Sequence, residues 1–179
     1  MGLGIANRPG SDERAQTEHN GAKPELVDER VNHISKAATT VPLRIQKQIQ
    51  PGISFYGDEA ALSRAIDSLL ENSLKYYEGR QIEINVSLAT NGKKISLVIA
   101  DKGIGFAKED SHRLFERFYR IGNEMTRSQS GSGLGLYLCR EIIRAHGGEV
   151  TAESAGVGKG ATFTITLKQS SGYENNSAG

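Results

Sequence analysis

Two apolar strands joined by a tight turn are the feature that most constrains the fold of this chain. The segments QIEINVSLA (81–89) and KISLVIAD (94–101) are rich in aliphatic and β-branched residues, and Asn91-Gly92 lies between them. Asn-Gly between two such runs is a strong hairpin signal, because a tight hairpin turn needs positive φ at its central residues. The second strand is apolar enough for the centre of a sheet. This antiparallel pair excludes a purely parallel sheet.

Helical and extended patterns alternate around this hairpin. Helices are predicted from Leu26 to Ala38, after the N-cap residue Asp58, and from Leu134 to His146; further strands are predicted over 41–49, 53–56, 149–154 and 161–167. Because helices and strands are interleaved while hairpins interrupt the order, we expect an α/β sandwich. It would have a mixed sheet of about five strands and about three helices on one face.

The composition is typical of one soluble domain with polar tails. The net charge of +1 gives no global attraction to nucleic acid or to an anionic membrane, so any anion site must be local. No apolar run is long enough to span a bilayer, and we expect no signal peptide. A single cysteine, Cys139, excludes an internal disulfide and is expected in the core. The predicted divisions are a poorly ordered linker (1–25), one domain (26–168) and a disordered tail (169–179).

Two chemical motifs precede a long polar region. In ENSLKYY, the i, i+3, i+4 spacing puts Asn72, Lys75 and Tyr76 on one helical face, where they suit a metal ion, a phosphate and a flat base. In DKGIG, Asp101 ends an apolar strand, and its carboxylate can accept a hydrogen bond from an exocyclic amine. The structural alternatives are a solvated helix end and a strand-end Asx turn.

Two further motifs fall in or after the weakly patterned residues 102–132, a loop length that is usually functional or disordered. LFERFYR places Phe115, Phe118 and Tyr119 among charges, which favours anchoring of that loop or a short amphipathic helix. GSGLGL runs into a helix N-terminus, where free N–H groups and the dipole favour phosphate. It is not a Rossmann fingerprint, because no GxGxxG follows a strand here. It is not a P-loop either, because no Gly-Lys-Ser/Thr follows the glycines. A simple glycine-rich turn is the alternative.

Taken in order, the four motifs resemble the N, G1, F and G2 boxes of the catalytic ATP-binding domain of bacterial sensor histidine kinases. These kinases belong to the GHKL superfamily with DNA gyrase, the MutL repair proteins and heat-shock chaperones. The resemblance covers roughly residues 41–168. It implies a Bergerat-type two-layer sandwich that binds ATP or ADP with Mg²⁺, and an ATP lid over about 106–132.

The resemblance also implies a role for each matching residue. Asn72 would coordinate Mg²⁺, Lys75 would contact phosphate, and Tyr76 would pack against the adenine. Asp101 would accept from the adenine amino group, and Arg120 would contact phosphate. Gly103 and Gly105 would give room for the base, and Gly131, Gly133 and Gly135 would let the lid wrap the phosphates. The other residues expected to contact nucleotide are Ile104, Tyr119, Ser132, Leu134, Leu136 and Thr162.

The phosphoryl acceptor in this family is a histidine on a dimerisation domain, with a pattern similar to H-E-x-R-x-P-L, which this sequence lacks. The four histidines (His19, His33, His112 and His146) are expected to be structural or solvated. The chain is therefore interpreted as an excised, monomeric, cytoplasmic catalytic domain. Its implied partners are the phosphoacceptor domain and a downstream response regulator, without direct contact to nucleic acid or membrane. A membrane anchor elsewhere in the parent protein is compatible with this.

Two departures from the family pattern keep other interpretations open. Ser68 stands where family kinases usually carry asparagine and hydrolytic relatives carry a glutamate base; Glu71 is expected to point about 100° away from Asn72. Ala161 replaces a usual Ser or Thr, and Thr162 is expected to face the other way in a strand. The rival hypotheses are a non-catalytic, nucleotide-responsive interaction module and a serine kinase of the anti-sigma type.

Overall fold

The computed structural model describes residues 21–22, 24–36, 41–53, 55–121 and 131–169. The helices in these ranges are α1 (Pro24–Ser35), α2 (Glu59–Lys75) and α3 (Gly135–Ala145). The strands are β1 (Gly21–Ala22), β2 (Leu43–Ile49), β3 (Phe55–Tyr56), β4 (Ile82–Asn91), β5 (Lys94–Asp101), β6 (Glu149–Glu153) and β7 (Thr162–Lys168). Two short 3₁₀ turns, Lys108–Asp110 and Arg113–Phe115, lie between β5 and α3.

Five of the described strands form one mixed sheet in the order β2-β4-β5-β7-β6. β2 runs parallel to β4, and every other neighbouring pair is antiparallel. The predicted hairpin joins β4 to β5, with Asn91 paired to Lys94 and Gly92 at φ +61°. The expected mixed α/β sandwich is confirmed. β1 and β3 form a separate antiparallel pair, so Gly21 and Ala22 are extended within the segment predicted to be a linker.

The helices cover one face of the sheet because each element buries only one side. In α2 the apolar stripe of period 3.6 is buried, and in β4 and β5 every second residue is buried. The fully buried side chains at the interface include Leu69, Leu70, Ile84, Ile99 and Phe163. The opposite sides of the central strands carry Ser87, Ser96 and Thr164, which are only partly buried. The core therefore lies between one helical layer and one sheet layer.

His146 joins the end of α3 to the start of α2. Its Nδ1 lies 2.7 Å from the Ile142 carbonyl oxygen, which can only accept, so Nδ1 carries the proton. Its Nε2 then accepts from the backbone N–H of Asp58, at 3.0 Å. Asp58 in turn caps α2 by accepting from Ala61 N, as predicted. The expectation that His146 is structural is confirmed.

Cys139 lies in the core on α3 with no exposed surface, as predicted. Burial raises the pKa of its thiol to about 12, because the low-dielectric interior disfavours the thiolate. None of the helices in the described ranges is long and apolar enough to cross a lipid bilayer.

Candidate functional site

A cavity of about 370 Å³ opens where the end of α2, the end of β5 and the start of α3 meet. Most of the predicted nucleotide-binding residues line it: Asn72, Lys75, Tyr76, Asp101, Ile104, Gly105, Tyr119, Arg120, Gly131, Ser132, Gly133, Gly135 and Leu136. Residues that were not predicted to bind also line it: Ser68, Glu71, Phe106, Leu114, Ile121, Ala161 and Phe163. Motifs that are far apart in the sequence therefore share one cavity.

The carboxylate of Asp101 is held from three sides. Its Oδ1 accepts from the backbone N–H groups of Gly103 (2.8 Å) and Ala161 (3.2 Å), and its Oδ2 accepts from the Ser73 hydroxyl (3.1 Å). Burial raises the pKa of Asp101, and the three hydrogen bonds oppose that rise because they favour the ionised form. The result is a fixed acceptor at the end of β5, in the position that the sequence predicted.

Gly103 and Gly105 let the loop after β5 pack against other backbone. A Cβ at Gly103 would collide with the Tyr76 carbonyl oxygen, which accepts from Ile104 N at 2.9 Å. Gly105 has φ +59°, and a Cβ there would collide with the Gly156 carbonyl oxygen. These glycines thus fix the loop against the end of α2 and the 156–160 turn. Gly105 also lines the cavity, and the predicted role of both glycines, giving room for a base, stays a prediction.

One face of α2 forms a wall of the cavity. Ser68, Glu71, Asn72 and Lys75 line it at i, i+3, i+4 and i+7. Glu71 was expected to point about 100° away from Asn72, and both residues nevertheless line the cavity. A carboxylate and an amide of α2 therefore border the same space. Lys75 Nζ lies 5.1 Å from the centroid of the Tyr76 ring.

Two of the three aromatic residues of the LFERFYR segment hold it in place, and the third does not. Phe115 is buried, and Tyr119 donates its hydroxyl to Asp110 Oδ1 at 2.5 Å, with the Arg113 guanidinium over its ring. This hydrogen bond is the main cause that raises the pKa of Tyr119. Phe118 is 60% exposed and has φ +64°, so it does not anchor the segment as was expected.

The glycine run at the start of α3 is joined to the LFERFYR segment by two hydrogen bonds, and we call this contact the glycine clamp. Phe118 N donates to the Gly133 carbonyl oxygen at 3.1 Å, and Arg120 Nη1 donates to the Gly131 carbonyl oxygen at 3.2 Å. Gly133 has φ +72°, and a Cβ there would lie 2.9 Å from the Phe118 carbonyl carbon. A Cβ at Gly131 would collide with Lys75 Nζ. Glycine is therefore required at position 133 for close backbone approach, whereas the flexible Lys75 side chain can move away from a Cβ at Gly131. Residues 122–130 of the predicted lid (about 106–132) lie outside the described residues.

Residues 57–171 match the family model described as "Histidine kinase-, DNA gyrase B-, and HSP90-like ATPase". The chain belongs to this family. It is 36% identical over 111 residues to the sensor histidine kinase WalK of Bacillus subtilis, covering 62% of this chain and 18% of WalK. It is 32% identical over 144 residues to the sensor-like histidine kinase SenX3 of Mycolicibacterium smegmatis, covering 80% of this chain and 37% of SenX3.

The structure superimposes on a mycobacterial sensor histidine kinase, MprB, with a TM-score of 0.72 and 26% identity, covering 84% of this chain and 97% of that chain. The match confirms the fold and the family that the four boxes imply. This ATPase-family domain spans less than two-fifths of the length of WalK and SenX3.

Ala161, where the sequence departs from the family pattern, borders the cavity. Ala161 and Phe163 line the cavity, whereas Thr162 does not, because successive residues near the start of β7 point to opposite faces. Thr162, which was predicted to contact nucleotide, therefore lies outside the cavity wall. Gly103 and Leu134 are likewise absent from the residues that line the cavity. The backbone N–H of Gly103 instead donates a hydrogen bond to Asp101 Oδ1.

Ser73 contacts a predicted site residue, although the sequence analysis did not single it out. Its hydroxyl contacts Asp101 although the residue lies on the buried stripe of α2. The available signal was a serine four positions after Leu69, where the helical period predicts an apolar residue. A polar residue on a core-facing stripe needs a hydrogen-bond partner, and Asp101 supplies it.

Proposed function

We propose that this domain binds ATP with Mg²⁺ in the cavity and donates the γ-phosphoryl group to a histidine on a separate dimerisation domain. The observation that carries the proposal is the pairing of a fixed carboxylate, Asp101, with cations in one cavity. Lys75 and Arg120 line it together with Asp101. An adenine amino group needs an acceptor, and a triphosphate needs cations and free N–H groups.

The two ends of the cavity suit the two ends of the nucleotide. At the base end, Asp101 would accept from the amino group, with Ile104, Tyr76 and Phe163 as apolar walls. At the phosphate end, Lys75 and Arg120 would contact the oxygens. The N-terminus of α3 begins at Gly135 in the cavity wall and adds backbone N–H groups.

The residues at the phosphate end fit a magnesium ion. Mg²⁺ prefers oxygen ligands and keeps several of its waters, so one or two protein oxygens are sufficient. Asn72 offers an amide oxygen and Glu71 a carboxylate from the same face of α2. When bound, the ion would neutralise charge on the phosphates, which is the main demand of phosphoryl transfer besides positioning.

The acceptor histidine would come from another domain. Within the described residues, His33 and His112 are exposed, His146 bonds to Ile142 and Asp58, and none of them lines the cavity. We propose the phosphoacceptor domain of the parent kinase and a downstream response regulator as partners, a monomeric state for this fragment, and a cytoplasmic location.

Calorimetric titration with a non-hydrolysable ATP analogue tests the proposal, in Mg²⁺ and in EDTA. We expect binding that weakens in EDTA and is lost in Asp101→Asn, which replaces one acceptor oxygen with a donor. Asp58→Asn, on the capping residue of α2, is the control and should bind like the wild type. A folded wild type that binds no nucleotide would overturn the proposal and favour a partner-docking module. Acid-labile phosphate on an added histidine-helix domain would test the transfer step.

A further inference from the structure

Ser73 has an unusual position for a hydroxyl group. Its exposed fraction is 1%, and it is the buried polar residue of the part of the chain that the structure describes. Two acceptors lie within reach of its hydroxyl: the Leu69 carbonyl oxygen at 3.3 Å and Asp101 Oδ2 at 3.1 Å. A hydroxyl has one proton, so it can donate fully to only one of them.

The carboxylate is the stronger acceptor of the two. Hydrogen bonds to an ionised group are roughly twice as strong as those between neutral groups, and the Leu69 oxygen is the longer contact. The Leu69 contact is an i−4 bond of the kind that any helical serine makes. The hydroxyl of Ser73 therefore donates to Asp101.

The two oxygens of Asp101 are held in different ways. Oδ1 accepts from two backbone N–H groups, which no side-chain substitution removes. Among the described residues, Oδ2 has the Ser73 hydroxyl as its donor. The orientation of Oδ2 thus depends on one side chain, and Asp101 lines the cavity in which a ligand would meet it.

We propose that Ser73 is a positioning residue that sets base selectivity, by orienting Asp101 Oδ2 to accept from a purine that carries an amino group and to repel a 6-oxo purine. The inference rests on the proposed function. A 6-oxo purine presents an acceptor to the carboxylate, and two acceptors facing each other without a proton repel. Ser73 itself would not touch the nucleotide.

The test is the ratio of affinities for non-hydrolysable ATP and ITP analogues in the whole chain with Mg²⁺. In Ser73→Ala we expect the affinity for the ATP analogue to fall about tenfold, because Asp101 Oδ2 is no longer oriented for a charge-assisted hydrogen bond from the amino group. The affinity for the ITP analogue should change little. Ser73→Cys keeps the size of the side chain but is a weak donor, so it should lower the ratio in the same way. Ser35→Ala is the matched control, because Ser35 makes the same i−4 bond, to Val31 at 2.7 Å, on α1 outside the cavity.

The outcomes separate this inference from the proposed function. A wild type that binds neither analogue overturns both. A wild type that prefers the ATP analogue, with an unchanged ratio in Ser73→Ala and Ser73→Cys, overturns only the role of Ser73. An equal fall for both analogues also overturns it, because a merely structural role would weaken both. A lowered ratio with wild-type thermal stability supports it.

Discussion

The substitution Gly133→Ala tests whether the glycine clamp is needed for nucleotide binding. Gly133 has φ +72°, a conformation that costs an L-residue about 1–2 kcal/mol. The added Cβ would also lie 2.9 Å from the Phe118 carbonyl carbon and 3.0 Å from the Phe118 Cα and the Tyr119 oxygen. These are backbone atoms that no rotamer change can move aside. The two segments must therefore separate.

The cost of separation follows from the two hydrogen bonds across the clamp. They join Phe118 to Gly133 and Arg120 to Gly131, and each contributes about 1 kcal/mol. If binding requires the closed clamp, losing both weakens nucleotide affinity by about 2 kcal/mol, roughly thirtyfold. Global stability should fall less than this, because the chain can open the clamp without exposing the core.

Gly92→Ala is the matched control for this experiment. Gly92 has a similar φ of +61°, but nothing lies within 4 Å of the position of its Cβ. It should lose about 1–2 kcal/mol of stability in urea unfolding and keep its nucleotide affinity. Calorimetric titration of both variants gives the comparison. Wild-type affinity in Gly133→Ala, or an equal loss in Gly92→Ala, would refute the reasoning.

Three further predictions follow from burial and charge. Burial raises the pKa of Asp101. As the pH is lowered, nucleotide affinity should therefore begin to fall at a higher pH than an ordinary aspartate would give. Calorimetry over a pH series checks this, and an affinity that stays constant down to the usual aspartate range contradicts it. The contribution of Asp101 to stability has the opposite sign, because protonation relieves its desolvation and favours the folded state. Cys139 should resist a thiol reagent in the native protein and react quickly in denaturant, and fast native labelling would refute its burial. Leu70 is fully buried in α2, so Leu70→Ala should lower the free energy of unfolding in urea by about 2–5 kcal/mol. Leu138 is 41% exposed, so Leu138→Ala should lower it by less than about 1 kcal/mol. Similar losses in the two variants would contradict the assigned core.

The glycine-rich motifs show what the local sequence leaves out. The sequence predicted a tight turn against a ligand at Gly103 and a phosphate-binding loop at Gly133. The structure adds that Gly103 packs on the Tyr76 carbonyl and Gly133 on the backbone of Phe118. Both contacts join segments that are distant in the chain, so no local pattern indicates them.

What the sequence determined by itself is what local periodicity encodes. Alternation and the Asn91-Gly92 turn predicted β4 and β5, the 3.6-residue stripe predicted α2, and four ordered motifs predicted the family and most of the cavity lining. These patterns work because neighbouring residues in a helix or strand fix which face is buried.

Tertiary structure alone decided which side chains from separate elements meet. Ser73 reaches Asp101 across 28 positions, and Ala161 reaches it across 60. Glu71 and Asn72 both line the cavity, and packing left Phe118 exposed while burying Phe115. The parallel pairing of β2 with β4 likewise joins strands that α2 separates in the sequence. Such contacts arise when whole helices and strands pack together. The local sequence of one element specifies only its own surface and not the surface that it meets.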